Sequence, residues 1–187
     1  MTHLRTPEWS HLYESDLARQ GYVANYTRVF ALAPNAFAAW LQLGAAVRTG
    51  MDGYRYELVT MAAARRLGSR YCTLAHASVL RTFHDDDTVR AIIADHRSAG
   101  LDPADVAVMD FAELIAVDPA AAGVPDHELL RRHGLSDVDI FQIVLAVGIR
   151  RFFTGVLAAT GAVPDPAYDA VAELLENEST TRSSTGR

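Results

Sequence analysis

The chain has 187 residues, half of them hydrophobic and 21% charged, enough for one well-packed domain without metal or disulfide staples. Its net charge of -6 argues against a nucleic-acid partner, and its single cysteine excludes an intramolecular disulfide or a zinc site built on Cys pairs. A lone cysteine suits a reducing compartment, Met1 to Gln20 holds no apolar signal core, and the apolar run Val144 to Phe153 is short and broken by Arg150 and Arg151, so a cytoplasmic protein with no membrane span is expected.

Helical periodicity dominates and no long alternating strand pattern occurs, which predicts an all-α, multi-helix bundle. The first helix is expected from about Glu8 to Arg19 and the second from Tyr22 to Leu32. Pro34 suits a first helical turn and opens a third segment, Asn35 to Arg48. Asp52 fits an N-cap for Tyr54 to Leu67. Gly68-Ser69 is the most informative punctuation: Gly68 suits a helix C′ position and Ser69 the N-cap of the next helix. That places Arg70, Tyr71 and Cys72 in the first turn of a helix reaching about Thr82.

Further helices are expected over Thr88 to Ala99 and from Pro103, capped by Asp102, to Val117. Asp118 to Pro125 reads as a linker and Asp126 to His133 as a short helix stopped by Gly134. Ser136 and Asp139 approximate a capping box for a long buried helix, Val138 to Thr160. Pro166 to Asn177 closes the domain, taken as residues 1–177, and 178–187 is expected to be a disordered polar tail.

The candidate site is Cys72, His76 and Glu57. A buried cysteine is by default a small hydrophobe. A thiol in a first helical turn, however, lies near unpaired backbone N–H groups and the positive end of the helix dipole, and both favour the thiolate. His76 lies four residues on, facing the same side of the helix, where imidazole and thiol can share a proton. Glu57 precedes a run of apolar residues, Leu58, Val59 and Met61 to Ala64. It reads either as a first-turn charge on its helix or as a carboxylate that orients His76 across the Gly68-Ser69 turn. Ser69 fits a cap better than a partner for the sulfur, and Tyr71 fits the core better than a donor.

With these residues in place, the run Glu57-Leu58-Val59-Thr60-Met61-Ala62-Ala63-Ala64, then Gly68-Ser69-Arg70-Tyr71-Cys72, then His76, resembles the alkylhydroperoxidase D / carboxymuconolactone decarboxylase superfamily. That pattern is a Glu, twelve residues on the first Cys of a CxxC, and a His four residues after the second Cys. Here Glu57, Cys72 and His76 match, and Ser69 stands at the first Cys. The similarity runs from about Ala38 to Ala116, with a looser likeness through Gly134 to Asp137 and beyond.

The resemblance implies an all-α homo-oligomer (dimer, trimer or hexamer). In the peroxidase branch the second Cys attacks peroxide, Glu and His relay protons, and the first Cys closes a disulfide. In the decarboxylase branch the cysteines are absent and a lactone acid loses carbon dioxide. The expectation is therefore a thiol-dependent hydroperoxide reductase with Cys72 as nucleophile and an external thiol as reductant, since the chain has no resolving cysteine. The alternatives are a decarboxylase-like enzyme using His76 and Glu57 for proton transfer, or a silent oligomeric binding protein. No cofactor or metal is expected.

Other signals weigh less. Leu129 to Gly148 has a helix–turn–helix look, but its second helix is apolar where a DNA reader needs polar side chains. His84 with Asp85, Asp86 and Asp87 reads as a solvated turn rather than a metal site. Arg150-Arg151 in an apolar helix needs partners: an acidic group, an anionic substrate or a subunit interface.

Overall fold

A computed structural model of the chain describes residues 2–174. The expected tail and the end of the last predicted helix lie outside the described residues. Nine α-helices run in chain order there, with no strand among the described residues: α1 His11–Gln20, α2 Asn25–Phe30, α3 Pro34–Thr49, α4 Gly53–Arg66, α5 Arg70–Leu80, α6 Asp86–Asp95, α7 Pro103–Val117, α8 Val124–Arg132 and α9 Asp137–Thr160. Short 3-10 turns cover His96–Ser98, Pro119–Ala121 and Pro166–Tyr168, and residues 169–174 are helical.

Local chemistry sets most of these boundaries. Ser10, Asp52, Ser69, Asp85 and Asp102 each accept a backbone N–H of the helix they open. Ser136 and Asp139 form the expected reciprocal capping box at α9. The deviations follow from the same caps. With Ser10 as its cap, α1 starts at His11, three residues later than periodicity suggested. Asp85 starts α6 two residues earlier than Thr88. The predicted second helix shortens to α2, because Gly21 (φ 81°) ends α1 and Ala24 is extended, its N–H bonded to Asp16 Oδ2 at 3.0 Å.

Helix α4 is the centre of the bundle. Every residue from Tyr56 to Ala64 is buried, so this stretch is enclosed on all sides, with Glu57 and Thr60 as its polar members. It packs on α5, α7 and α9, and α9 also meets α3, α7 and α8. One cluster of buried side chains runs from Val47 through Met61, Leu80, Ile92 and Val108 to Leu130, Ile143 and Val147, so the core continues across the 118–125 connection. A second cluster holds Phe30, Phe37, Tyr71, Cys72, Phe153 and Leu157.

The 24-residue α9 is long and apolar enough to cross a membrane by length and composition alone, with a mean hydropathy of 1.7 over its most apolar 18-residue window; half of that window is buried within the bundle, as for a core helix.

Asp165 ties the chain ends to the site. It is 2% exposed and accepts the Tyr71 hydroxyl at one oxygen and the Asn25 N–H, at 2.7 Å, at the other. Tyr71 is thus an anchor, with burial first and Asp165 second holding its hydroxyl protonated well above the ordinary phenol range. Asp165→Ala leaves a buried hydroxyl and the first amide of α2 unpaired, and should cost about 3 kcal/mol in urea unfolding. A loss below about 1 kcal/mol would contradict this role.

Candidate functional site

The tight joint between α4 and α5 builds the site. Gly68 adopts φ +68°, a conformation that disfavours any residue with a Cβ, and its N–H bonds to Arg65 O at 3.0 Å. The chain reverses, and Ser69 Oγ accepts the Cys72 N–H at 3.3 Å. Ser69 is therefore a cap, and it makes no hydrogen bond to the sulfur. The turn folds α5 back along α4, which brings Glu57 to His76 across 19 positions of sequence.

Glu57 Oε2 lies 2.6 Å from His76 Nδ1, and the two residues are 3% and 6% exposed. Thr60 Oγ1 approaches the same nitrogen at 3.2 Å. A carboxylate only accepts, so the network assigns the proton to Nδ1 and leaves Nε2 as a free basic nitrogen. Burial and the nearby Arg150 cation outweigh Glu57 and lower the His76 pKa from 6.5 to about 4. The ring is neutral at physiological pH. Glu57 Oε1 also meets Arg48 at 3.4 Å, a half-exposed contact from the end of α3.

The depressed pKa has a consequence for stability. Between pH 6.5 and about 4 the unfolded chain binds a proton at His76 that the folded chain refuses. Stability therefore rises with pH across this window and is lost as pH falls through it. The loss attributable to His76 should be roughly 3 kcal/mol. It is measured as the difference in urea stability between wild type and His76→Gln over that range; parallel curves would contradict it.

Cys72 is 1% exposed. Two donors from α9 reach its sulfur, Arg150 Nη1 at 3.5 Å and Thr154 Oγ1 at 3.6 Å. Among the described residues no hydrogen bond joins Cys72 to His76, although both face the same side of α5. Arg150 is itself buried, at 7% exposed, while Arg151 is exposed. Around the sulfur, Phe30, Phe37, Trp40 and Phe153 stack with centroids 4.6–6.1 Å apart, a low-dielectric wall that strengthens charge interactions within it.

Glu57, Cys72, His76, Ser69 and Tyr71 all lie at this site or in its supports. Arg150 and Thr154 are the additions. They share the buried stripe of α9 with Ile143, Val147 and Leu157. A cation and a hydroxyl at i, i+4 on an otherwise apolar stripe were the signal in the sequence.

The His84–Asp87 turn is structural: Asp85 caps α6, Asp86 and Asp87 pair with Arg81 and Arg90, and His84 meets Tyr54 at 2.9 Å. Elsewhere, His96, Asp110 and Glu113 place ligand atoms within 4.8 Å of one another, but Arg65 and Arg97 already bond their carboxylates. That group pins the turn after α6 to α7.

The chain is similar to an uncharacterized peroxidase-related protein with an alkylhydroperoxidase AhpD core from Ralstonia eutropha JMP134: TM-score 0.80, 20% identity, 89% of this chain and 94% of that one. It is also similar to an uncharacterized peroxidase-related protein from Silicibacter sp. TM1040, with TM-score 0.80, 24% identity and coverage of 89% and 93%. The debrominase Bmp8, solved with 2,3,4-tribromopyrrole, gives TM-score 0.74 at 18% identity over 94% and 96%. No protein-family profile and no curated protein matches the chain. At these identities the likeness is one of fold: the chain has the all-α alkylhydroperoxidase D fold.

Proposed function

We propose that this chain is a thiol-dependent hydroperoxide reductase, with Cys72 as nucleophile and Glu57 and His76 as its proton relay. The observation that carries the reading is the convergence on one sulfur. Cys72 sits in the first turn of α5, receives two donors from α9, and lies one turn from a buried carboxylate–imidazole pair with a free ring nitrogen. A purely proton-transferring enzyme, such as a decarboxylase of lactone acids, would leave the donors on the sulfur without a use. The fold alone does not choose, since one neighbour is a debrominase.

The Cys72 thiolate attacks the distal oxygen of the hydroperoxide; an S–O bond forms and the O–O bond breaks. His76 Nε2 takes the proton of the distal oxygen and passes it to the departing alkoxide. Alcohol leaves and a sulfenate remains. Cys72 is the sole cysteine of the sequence, so an external thiol must complete the cycle. One thiol forms a mixed disulfide with Cys72, and the sulfenate oxygen leaves as water, taking the thiol's proton and a second from solvent that is returned when the next exchange regenerates the thiolate. A second thiol then releases Cys72 and a small disulfide. The net change converts one hydroperoxide and two thiols to alcohol, disulfide and water.

The test is a steady-state assay with an organic hydroperoxide and dithiothreitol. Equal formation of alcohol and oxidised dithiothreitol supports the reading. No turnover with hydroperoxides, together with carbon dioxide release from a lactone acid, would move the function to proton-transfer chemistry.

A further inference from the structure

Arg150 is a buried cation in need of an anion. Its Cζ stands 5.7 Å from the Phe153 ring centre and its Nε is buried with no hydrogen-bond partner. Among the described residues it pairs with no carboxylate. A guanidinium removed from water without a counter-charge is costly. The atom it reaches that can carry negative charge is Cys72 Sγ, 3.5 Å from Nη1, and Thr154 adds a neutral donor to the same sulfur.

We propose, building on the reductase reading, that Arg150 is the resident counter-ion of a Cys72 thiolate and of the sulfenate that follows it, with Thr154 as second donor, and that Glu57 and His76 are left to handle the proton. Charge-assisted hydrogen bonds are stronger than neutral ones, and more so inside an apolar wall. The assignment also fits the reaction. The sulfur carries one negative charge as thiolate and one as sulfenate, so Arg150 keeps its partner through oxygen transfer. With no second cysteine in the chain, the oxidised sulfur has to wait for an outside thiol, and the ion pair holds it meanwhile.

The charged and titratable groups facing the sulfur come from several elements. They are Arg150 on α9, Tyr71 on α5 with Tyr26 and Tyr168 in the same buried cluster, and His76 one turn along α5, paired with Glu57 on α4 and with Arg48 behind it. Of these, only Arg150 donates to the sulfur, which separates the two functions by residue.

The experiment reads the far-ultraviolet thiolate absorbance of the full chain against pH, with Cys72→Ser subtracted as background. Wild type should hold a thiolate at neutral pH. Arg150→Met should lower the thiolate fraction there about tenfold or more, recover it in alkali, and regain part of it when guanidinium is added. His76→Gln should change it by less than about threefold. A thiolate retained in Arg150→Met at neutral pH, or lost in His76→Gln, overturns the assignment. If Arg150→Met does not fold, Thr154→Val carries the test: a loss of about threefold in thiolate on the rising part of the titration supports the pair, and an unchanged titration overturns it.

Absorbance reports the sulfur whether or not the chain turns over hydroperoxide. A thiolate dependent on Arg150 in a protein without peroxidase activity would leave this inference standing and sink the function. Activity with a thiolate indifferent to Arg150 would do the reverse.

Discussion

Cys72→Ala should abolish thiol-dependent hydroperoxide reduction, with a fall on the order of 10³ or more in kcat/KM. Relay groups without a nucleophile have no bond to form with the distal oxygen. The fold should survive. The substitution removes one buried sulfur, a small cavity worth about 1 kcal/mol, and leaves Arg150 without an anion, which adds a cost of similar size. A drop of about 2 kcal/mol in urea stability with complete loss of turnover is the expected pair of results. Activity within about tenfold of wild type would remove sulfur from the mechanism and return attention to Glu57 and His76 as a proton-transfer pair.

Glu57→Gln tests the relay with little change of shape. The amide oxygen can still accept from His76 Nδ1, so the buried hydrogen bond survives and stability should move by no more than about 1–2 kcal/mol. The carboxylate charge is lost, and with it the support for positive charge on the ring as the proton passes through. Turnover should fall about a hundredfold in kcat, with KM little altered, which is the scale of a general acid–base contribution. The donors to Cys72 Sγ come from α9 and are untouched by the substitution. Unchanged kcat would reduce the Glu57–His76 contact to a structural hydrogen bond.

What was legible in the sequence was local. The joint at Gly68-Ser69 could be read because a left-handed glycine and a serine cap act within a few residues, and the placement of Cys72 in a first turn followed directly. The i, i+4 relation of Cys72 and His76 was legible for the same reason. The Glu57–His76 contact was only an option, because it depends on how α5 folds back along α4 after the turn. Arg150 was visible as an anomaly in an apolar helix but had three possible partners. Its actual partner is 78 positions away, and only the packing of α9 brings the two together. His96 with Asp110 and Glu113 was not legible, because Asp110 and Glu113 share one face of α7 but His96 reaches them only through the packing of the 3-10 turn that follows α6. The helix boundaries that shifted did so where a polar cap, Ser10 or Asp85, overruled the apolar pattern.

In the proposed reaction one sulfur, Cys72, takes oxygen from a hydroperoxide. The most direct measurement is to mix the reduced protein with a single equivalent of an organic hydroperoxide, without added thiol, trap with dimedone, and map the product by mass spectrometry while quantifying the alcohol. Dimedone on Cys72 and alcohol released in equal amount are the expected products. Unchanged hydroperoxide and a Cys72 that remains a free, unlabelled thiol would contradict it.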